Sequence, residues 1–308
     1  MGSRAGRCHS HPRCRVSCRT GIDALAVSGS LVLIATPIGN LGDVSQRSRD
    51  ALAAADLIAC EDSRHSGRLM KHLGIADPTY VVVNEHTERD ACARIVDAVA
   101  AGKTVALITD AGTPAISDPG SVVVRAVLDA GLSVSAVPGP AALVMALVVS
   151  GLPTTRFVFE GFIPRSGGDR DRRLADIALE ERTTIIYESP HRVVRTLTDL
   201  ATACGGHRRV AVARELTKLH EEVWRGTLDG AAGHFTTKEP QGEFVIVVEG
   251  APPAAPANDE QIAHAIDAAL ADGLSVRDAA DRVATTLGVA RRTAYNVALS
   301  RRNTTEQS

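Results

Sequence analysis

From Leu31 to about Gly250, short runs rich in Val, Ile, Leu and Ala alternate with longer stretches rich in Ala, Leu, Val and Arg. This is the pattern of strands joined by crossover helices. Strands are predicted at 31–36, 56–61, 80–85, 104–110 and 133–137, with helices at 45–55, 65–73, 88–101, 121–130 and 141–150. That succession implies a mainly parallel sheet under helices. After Gly151-Leu152-Pro153 a second set follows, with strands at 156–162, 183–189, 208–215, 221–228 and 243–249 and helices near 169–181 and 190–203. The gap between 215 and 221 is too short for a crossover helix, so those two strands should pair antiparallel in a mixed sheet.

The run Ala251-Pro252-Pro253-Ala254-Ala255-Pro256 reads as a semi-rigid linker. Beyond it, 260–271, 275–287 and 290–301 read as three short helices, with Ser275 placed to cap the second. The last two meet at Leu287-Gly288-Val289, which suits a helix-turn-helix or any other compact three-helix packing. The expected organisation is an α/β protein: a disordered extension over 1–30, α/β domains over 31–152 and 153–250, a linker over 251–259 and a small helical tail over 260–308.

Composition narrows the class. The longest apolar run, Ala141 to Val149, falls well short of the ~20 residues a membrane span needs, so no membrane role is expected. Net charge is −2, and only the first thirty residues are net positive, at +4. Nucleic-acid binding must therefore rest on local clusters, with Arg165, Arg172 and Arg173 (beside Arg170) and Arg291 and Arg292 (with Arg301 and Arg302) as candidates, although each cluster also reads as a solvated face. Cys60, Cys92 and Cys204 are scattered singly, which fits a reduced, cytoplasmic setting. Cys8, Cys14 and Cys18 follow no standard zinc spacing, the body shows no ligand cluster, and no metal is expected.

Chemistry is concentrated where the predicted strands end, because in open α/β sheets ligands collect at the carboxyl ends of strands. Those ends carry Thr36-Pro37-Ile38-Gly39-Asn40, Glu61-Asp62-Ser63-Arg64, Asn84-Glu85-His86-Thr87, Asp110-Ala111-Gly112-Thr113-Pro114 with Ser117-Asp118-Pro119-Gly120, and Pro138-Gly139-Pro140. One Gly- or Pro-rich turn is ordinary punctuation; five on one edge indicate a binding cleft where backbone approaches a ligand closely. The first loop lacks Gly-x-Gly-x-x-Gly and no Walker loop is present, which disfavours a dinucleotide or ATP.

Ordered along the chain stand ATPIGNLGDVSQR (35–47), CEDSRHSGRLM (60–70), DAGTPAISDPG (110–120), VPGPAALVMAL (137–147), SGLPTTRFVFEGFIPR (150–165), YESPHR (187–192), ARELTKLHEEV (213–223) and GEFVIVVEG (242–250). Together they resemble the tetrapyrrole methylase superfamily, and within it the branch that methylates small-subunit ribosomal RNA. The resemblance covers about residues 31–250 and, more loosely, the tail. Ser63 stands where that branch usually has Thr, and Thr87 where it usually has Asn. It implies a two-domain fold, a homodimer, S-adenosylmethionine as cofactor, and 2′-O-methylation of a cytidine ribose in 16S rRNA. By motif it implies cofactor contacts from Ile38, Gly39, Asp110, Ala111, Gly112, Thr113, Pro114, Gly139, Pro140, Ala141, Glu188, Glu215 and Leu216.

Methyl transfer to oxygen is an in-line displacement, aided by alignment and by a base or cation that helps remove the hydroxyl proton. Glu61, Arg64, His86 and Lys218 are the catalytic candidates, with Glu188 a further one. Glu61 and Arg64 equally suit a structural ion pair, His86 a turn hydrogen bond, and Glu188 a helix cap. Two other readings stay open: a methyltransferase acting on a tetrapyrrole or other small molecule, and a non-catalytic RNA-binding or assembly protein with a vestigial cleft.

Overall fold

The structure is a computed structural model that describes residues 29–84, 87–237, 240–253 and 257–305. The expected extension therefore falls almost wholly outside the described residues, and so does His86. These residues form two compact units. One runs to Glu249, except for Leu179–Glu181; the other comprises those three residues and the chain from Gly250.

Both sheets lie in the first unit. Its first half runs β1 (Ser30–Ile34), α1 (Gln46–Ala53), β2 (Leu57–Cys60), α2 (Ser63–Leu73), β3 (Tyr80–Val82), α3 (Glu88–Ala100), β4 (Thr104–Leu107), α4 (Ser121–Asp129), β5 (Ser133–Val137) and α5 (Ala142–Ser150). The five strands are all parallel in the order β3-β2-β4-β1-β5. Alternation along β4 explains its burial on both faces. Val105 and Leu107 join Ile95, Val99, Val123 and Val127 under α3 and α4, while Ala106 joins Leu52, Met70 and Leu73 under α1 and α2. From β1 the chain leaves toward β2, whereas from β4 it crosses β1 to reach β5. The loops after β1 and β4 thus part at a topological switch point, where a crevice forms.

The second half runs β6 (Phe157–Phe162), α6 (Gly168–Leu179), β7 (Thr183–Glu188), α7 (Val193–Cys204), β8 (Arg209–Arg214), β9 (Glu222–Thr227), α8 (Leu228–Thr236) and β10 (Phe244–Val248). Its order is β6-β7-β10-β8-β9, with β6 and β7 parallel and the other pairs antiparallel, including the expected β8–β9 hairpin. Every residue of β10 is buried. One face of this sheet packs Val210, Val212 and Ile246 against Leu197 and Leu200. The other packs Ile185, Ala211 and Val247 against Leu143, Ala146 and Leu147, so α5 of the first half seals the second sheet.

The pattern reading missed α8, because Gly230 and Gly233 dilute its apolar face. It also extended β4 too far: Ile108 still donates its N–H to Ala59 of β2, but residues 109–110 leave the sheet and start the cleft loop. In the second unit, α9 (Asp259–Ala271) starts at an Asn258–Gln261 capping box, α10 (Val276–Leu287) at Ser275 as expected, and α11 (Arg291–Thr305) completes an Ala-rich core. Among the described residues no helix is long and apolar enough to cross a membrane.

Candidate functional site

At the carboxyl edge of the parallel sheet, main-chain bonds lace the loops together. Thr36 and Gly112 form an isolated antiparallel bridge, with N–H groups donating at 2.8 and 3.1 Å, and the Thr36 hydroxyl donates to the Thr109 carbonyl at 3.0 Å. The Thr113 hydroxyl reaches the Pro140 carbonyl at 3.0 Å, joining the loops after β4 and β5. From the second sheet, Tyr187 Oη accepts the Leu143 N–H at 3.1 Å at the start of α5. Four non-glycine residues of the loops after β4 and β8 hold positive φ: Ala115 (67°), Ser117 (61°), Glu215 (50°) and Thr217 (65°). Such strain, about 1–3 kcal/mol each, persists where surrounding bonds over-determine it and gathers at functional sites.

These loops and the facing edge of the second sheet enclose a cavity of about 430 Å3. Its charged lining is one-sided: Glu61, Asp110, Asp118, Glu188 and Glu243 belong to it, and among the described residues no Lys, Arg or His lines it. Asp110 Oδ1 is buried without a hydrogen-bond partner. Burial, reinforced by the Glu61 carboxylate and then by Asp110 and Glu243, pushes Asp118 up to about 6. Tyr187 is raised as well, chiefly by burial.

Of the residues singled out by sequence, Ile38, Asp110, Ala111, Gly112, Thr113, Ala141, Glu188, Leu216 and Glu61 line the cavity. Gly39, Pro114, Gly139, Pro140 and Glu215 do not line it. A Cβ on Gly139 would lie 2.9 Å from Ala35 Cβ, and one on Gly39 would lie 2.3 Å from Lys218 Cγ, so both glycines admit close packing of loops. The Glu188 carboxylate is spent within its own half: it accepts from the Ser189 amide at 2.8 Å and the Thr196 hydroxyl at 2.7 Å, with Arg192 at 3.3 Å. Glu215 loses to burial but gains more from the Lys218 ammonium at 2.7 Å and the Glu243 amide at 2.9 Å, which hold its carboxyl below the usual range.

Two catalytic candidates stand elsewhere. Arg64 is 89% exposed and pairs with Asp62, the N-cap of α2, at 3.0 Å. Lys218 is clasped by Glu215 and by Glu243 at 2.9 Å, so its charge is already neutralised. Of the arginines considered for RNA, Arg165 and Arg292 are exposed, Arg172 pairs with Asp169, Arg173 with Glu160 and Arg291 with Asp281. Arg170 is buried and bridges Asp199 (2.7 Å), Thr196 and the Pro164 carbonyl, which makes it a strut. Sequence reasoning passed over Asp118, Tyr187 and Glu243. For Asp118 a signal existed, since it lies in a quoted loop beside Pro119-Gly120, but an acid there also reads as a cap for α4.

A family model for tetrapyrrole (corrin/porphyrin) methylases matches residues 30–232. A protein named ribosomal RNA small subunit methyltransferase I from Synechocystis sp. is 44% identical over 273 residues, covering 88% of this chain and 98% of its own length. One of the same name from Mycobacterium tuberculosis H37Rv is 43% identical over 280 residues, covering 90% and 97%. Among solved structures, the methyltransferase CobJ superposes with a TM-score of 0.56 at 21% identity, covering 73% of this chain and 95% of its own. A uroporphyrin-III C-methyltransferase from Thermus thermophilus, in complex with S-adenosylhomocysteine, superposes at 0.50 and 20% identity, covering 71% and 96%. These likenesses establish the fold.

Proposed function

This chain belongs to the tetrapyrrole methylase family, and we propose that it transfers a methyl group from S-adenosylmethionine to the 2′-hydroxyl of a cytidine ribose in 16S rRNA of the small ribosomal subunit. The observation that carries the reading is the all-carboxylate charge of the cavity. A sulfonium donor with an α-ammonium group is cationic and suits this acidic lining, in which Glu188 is paired with Arg192 and Glu243 with Lys218, whereas a dinucleotide would bring phosphates against it. The relatives' shared name supplies the acceptor class.

The residues fit the donor. Asp110 lends negative charge from the wall, Gly112 and Ala141 present backbone, and Ile38, Ala213 and Leu216 supply apolar wall. When bound, the sulfonium supplies an electrophilic methyl carbon. Asp118 is the group assigned to receive the ribose hydroxyl proton as the new C–O bond forms. Titrating at about 6, it is mostly ionised at neutral pH yet more basic than an ordinary carboxylate. Tyr187 and the Thr36–Gly112 bridge hold the two walls in place, so alignment is paid before the acceptor arrives.

The exposed face of α5 supports a homodimer. While Leu143, Ala146 and Leu147 are buried, Val144, Met145, Val148 and Val149 on its outer side are 38–59% exposed. A helix apolar on every side is ordinarily buried, and a second copy of this chain is the partner assigned to that face. An rRNA acceptor supports a cytoplasmic location. The test is to offer purified 30S particles and labelled S-adenosylmethionine to the protein and map the product by mass spectrometry. A 2′-O-methylcytidine in 16S rRNA is expected, and label on a tetrapyrrole with none on RNA overturns the reading.

A further inference from the structure

A second cavity, of about 180 Å3, opens beside the first and shares Asp110 with it. Pro37, Leu41, Leu69 and Ile108 give it apolar walls. Two hydroxyls line it from almost fully buried positions, Ser66 at 2% exposure and Thr109 at 3%. Neither has a hydrogen bond of normal geometry, and the weaker approaches they do make are of Ser66 to the Cys60 thiol and of Thr109 to the Asp118 carboxyl. With Asp110 Oδ1, three buried polar atoms at one small cavity lack partners. Buried polar groups left unpaired cost roughly 1–3 kcal/mol each, and such a concentration marks a site that a ligand completes.

The chemistry of the set selects the ligand. An ionised Asp110 only accepts, so the ligand must present an N–H; the hydroxyls donate or accept, so it can present acceptors beside that N–H. The volume is roughly six times the ~30 Å3 share of a liquid water, room for one six-membered ring and its substituents. His65 and Arg68 line the same cavity from exposed positions on α2, and Arg68 makes no ion pair among the described residues, leaving its charge for a phosphate. RNA is read in this way, by an unstacked base bonded along its Watson–Crick edge with phosphate contacts fixing the strand.

We propose that this second cavity is a nucleobase pocket: it takes the base of the nucleotide whose ribose is methylated, seating a cytosine-type edge with its amino group on Asp110 and its ring acceptors on Ser66 and Thr109. The proposal rests on the RNA reading of the preceding subsection and adds where and how the acceptor is recognised. Asp110 borders both cavities, so a base held in the smaller one presents its own sugar to the larger.

The test uses the full-length protein, 30S particles, and 30S particles in which the modified cytidine is replaced by uridine. Ser66→Ala and Thr109→Val should each raise KM for 30S by roughly 10-fold or more and narrow the preference for cytidine over uridine, with the dissociation constant of S-adenosylmethionine within about twofold of wild type. Arg68→Glu, an exposed change that spares the interior, should raise KM as well and carries the test if a buried variant fails to fold. An unchanged KM in all three overturns the pocket, and so does cofactor affinity that weakens in step with KM, which would give the cavity to the donor. Wild-type protein that labels no RNA sinks this proposal together with the reading it rests on, whereas active wild type with indifferent variants sinks the pocket alone.

Discussion

Replacing Asp118 with Asn should make the unliganded protein more stable and its cofactor binding weaker. The folded pKa is raised from 3.8 to about 6, so an ionised Asp118 opposes folding. Roughly two units at ~1.4 kcal/mol per unit give about 3 kcal/mol. Asp118 is only partly buried, and solvent screening brings the expected figure to about 1–2 kcal/mol. Because the folded pKa is the higher one, the favourable contribution is complete below the unfolded value near 4 and is lost as pH rises through about 6. Asn escapes that loss. At pH 7.5 the variant should melt roughly 3–6 °C above wild type, at the ~2–4 °C per kcal/mol usual for a domain of this size, and the gap should shrink steadily toward pH 4. Thermal denaturation at half-unit pH steps reads this directly. By calorimetry, S-adenosylmethionine should bind the variant about 10-fold or more weakly at pH 7.5, since a cation loses one charged partner. A stability gap of equal size at pH 4 and 7.5, or a variant less stable at pH 7.5, would refute the assignment of Asp118 as a carboxylate strained by its neighbours.

Arg170→Met, which removes the nearer of Asp199's two arginine partners and a donor from Thr196, should cost about 3 kcal/mol in urea denaturation; a loss under about 1 kcal/mol would show that Arg170 is no strut. Gly139→Val forces a side chain against Ala35 and should destabilise by about 1–3 kcal/mol while weakening cofactor binding, read by melting and calorimetry on one sample. Val148→Glu, on the exposed face of α5, should shift sedimentation from dimer to monomer with the melting curve little changed. Arg64→Ala should leave both cofactor affinity and melting temperature unaltered, because its ion pair is solvent-exposed; a tenfold affinity loss would return Arg64 to the site.

Periodicity revealed the sheets because buried strands must be apolar and because the connection between β8 and β9 is too short for a crossover. Loop chemistry located the edge of the site, as Gly and Pro mark where backbone bends beside a ligand: Asp110, Gly112 and Ala141 were legible for that reason. What stayed hidden depends on the second sheet folding over the first. Tyr187 lies in β7 and Glu243 just before β10, strands whose sequence only says buried, and nothing local tells which end meets the cleft. Lys218 misled in the opposite sense, since a cation in a cleft loop invites a catalytic role until Glu215 and Glu243 are seen to absorb its charge. Arg170 resembled its neighbours Arg172 and Arg173 in sequence, yet helical phase turns it inward and them outward.

The placement of β10 bears on how the polypeptide matures as it is synthesised. The first sheet has all its strands once residue 137 has emerged, and it can close early. The second cannot, because the last strand made is the middle one: β7 and β8 have no common neighbour until residues 244–248 slide between them. Glu243, Phe244 and Val245 arrive with that strand and bring one flank of the larger cavity. A nascent chain released short of this point would keep a finished amino-terminal half and an unclosed gap beside it, so truncation anywhere before residue 249 should silence the enzyme by leaving its centre unfilled rather than by trimming its rim.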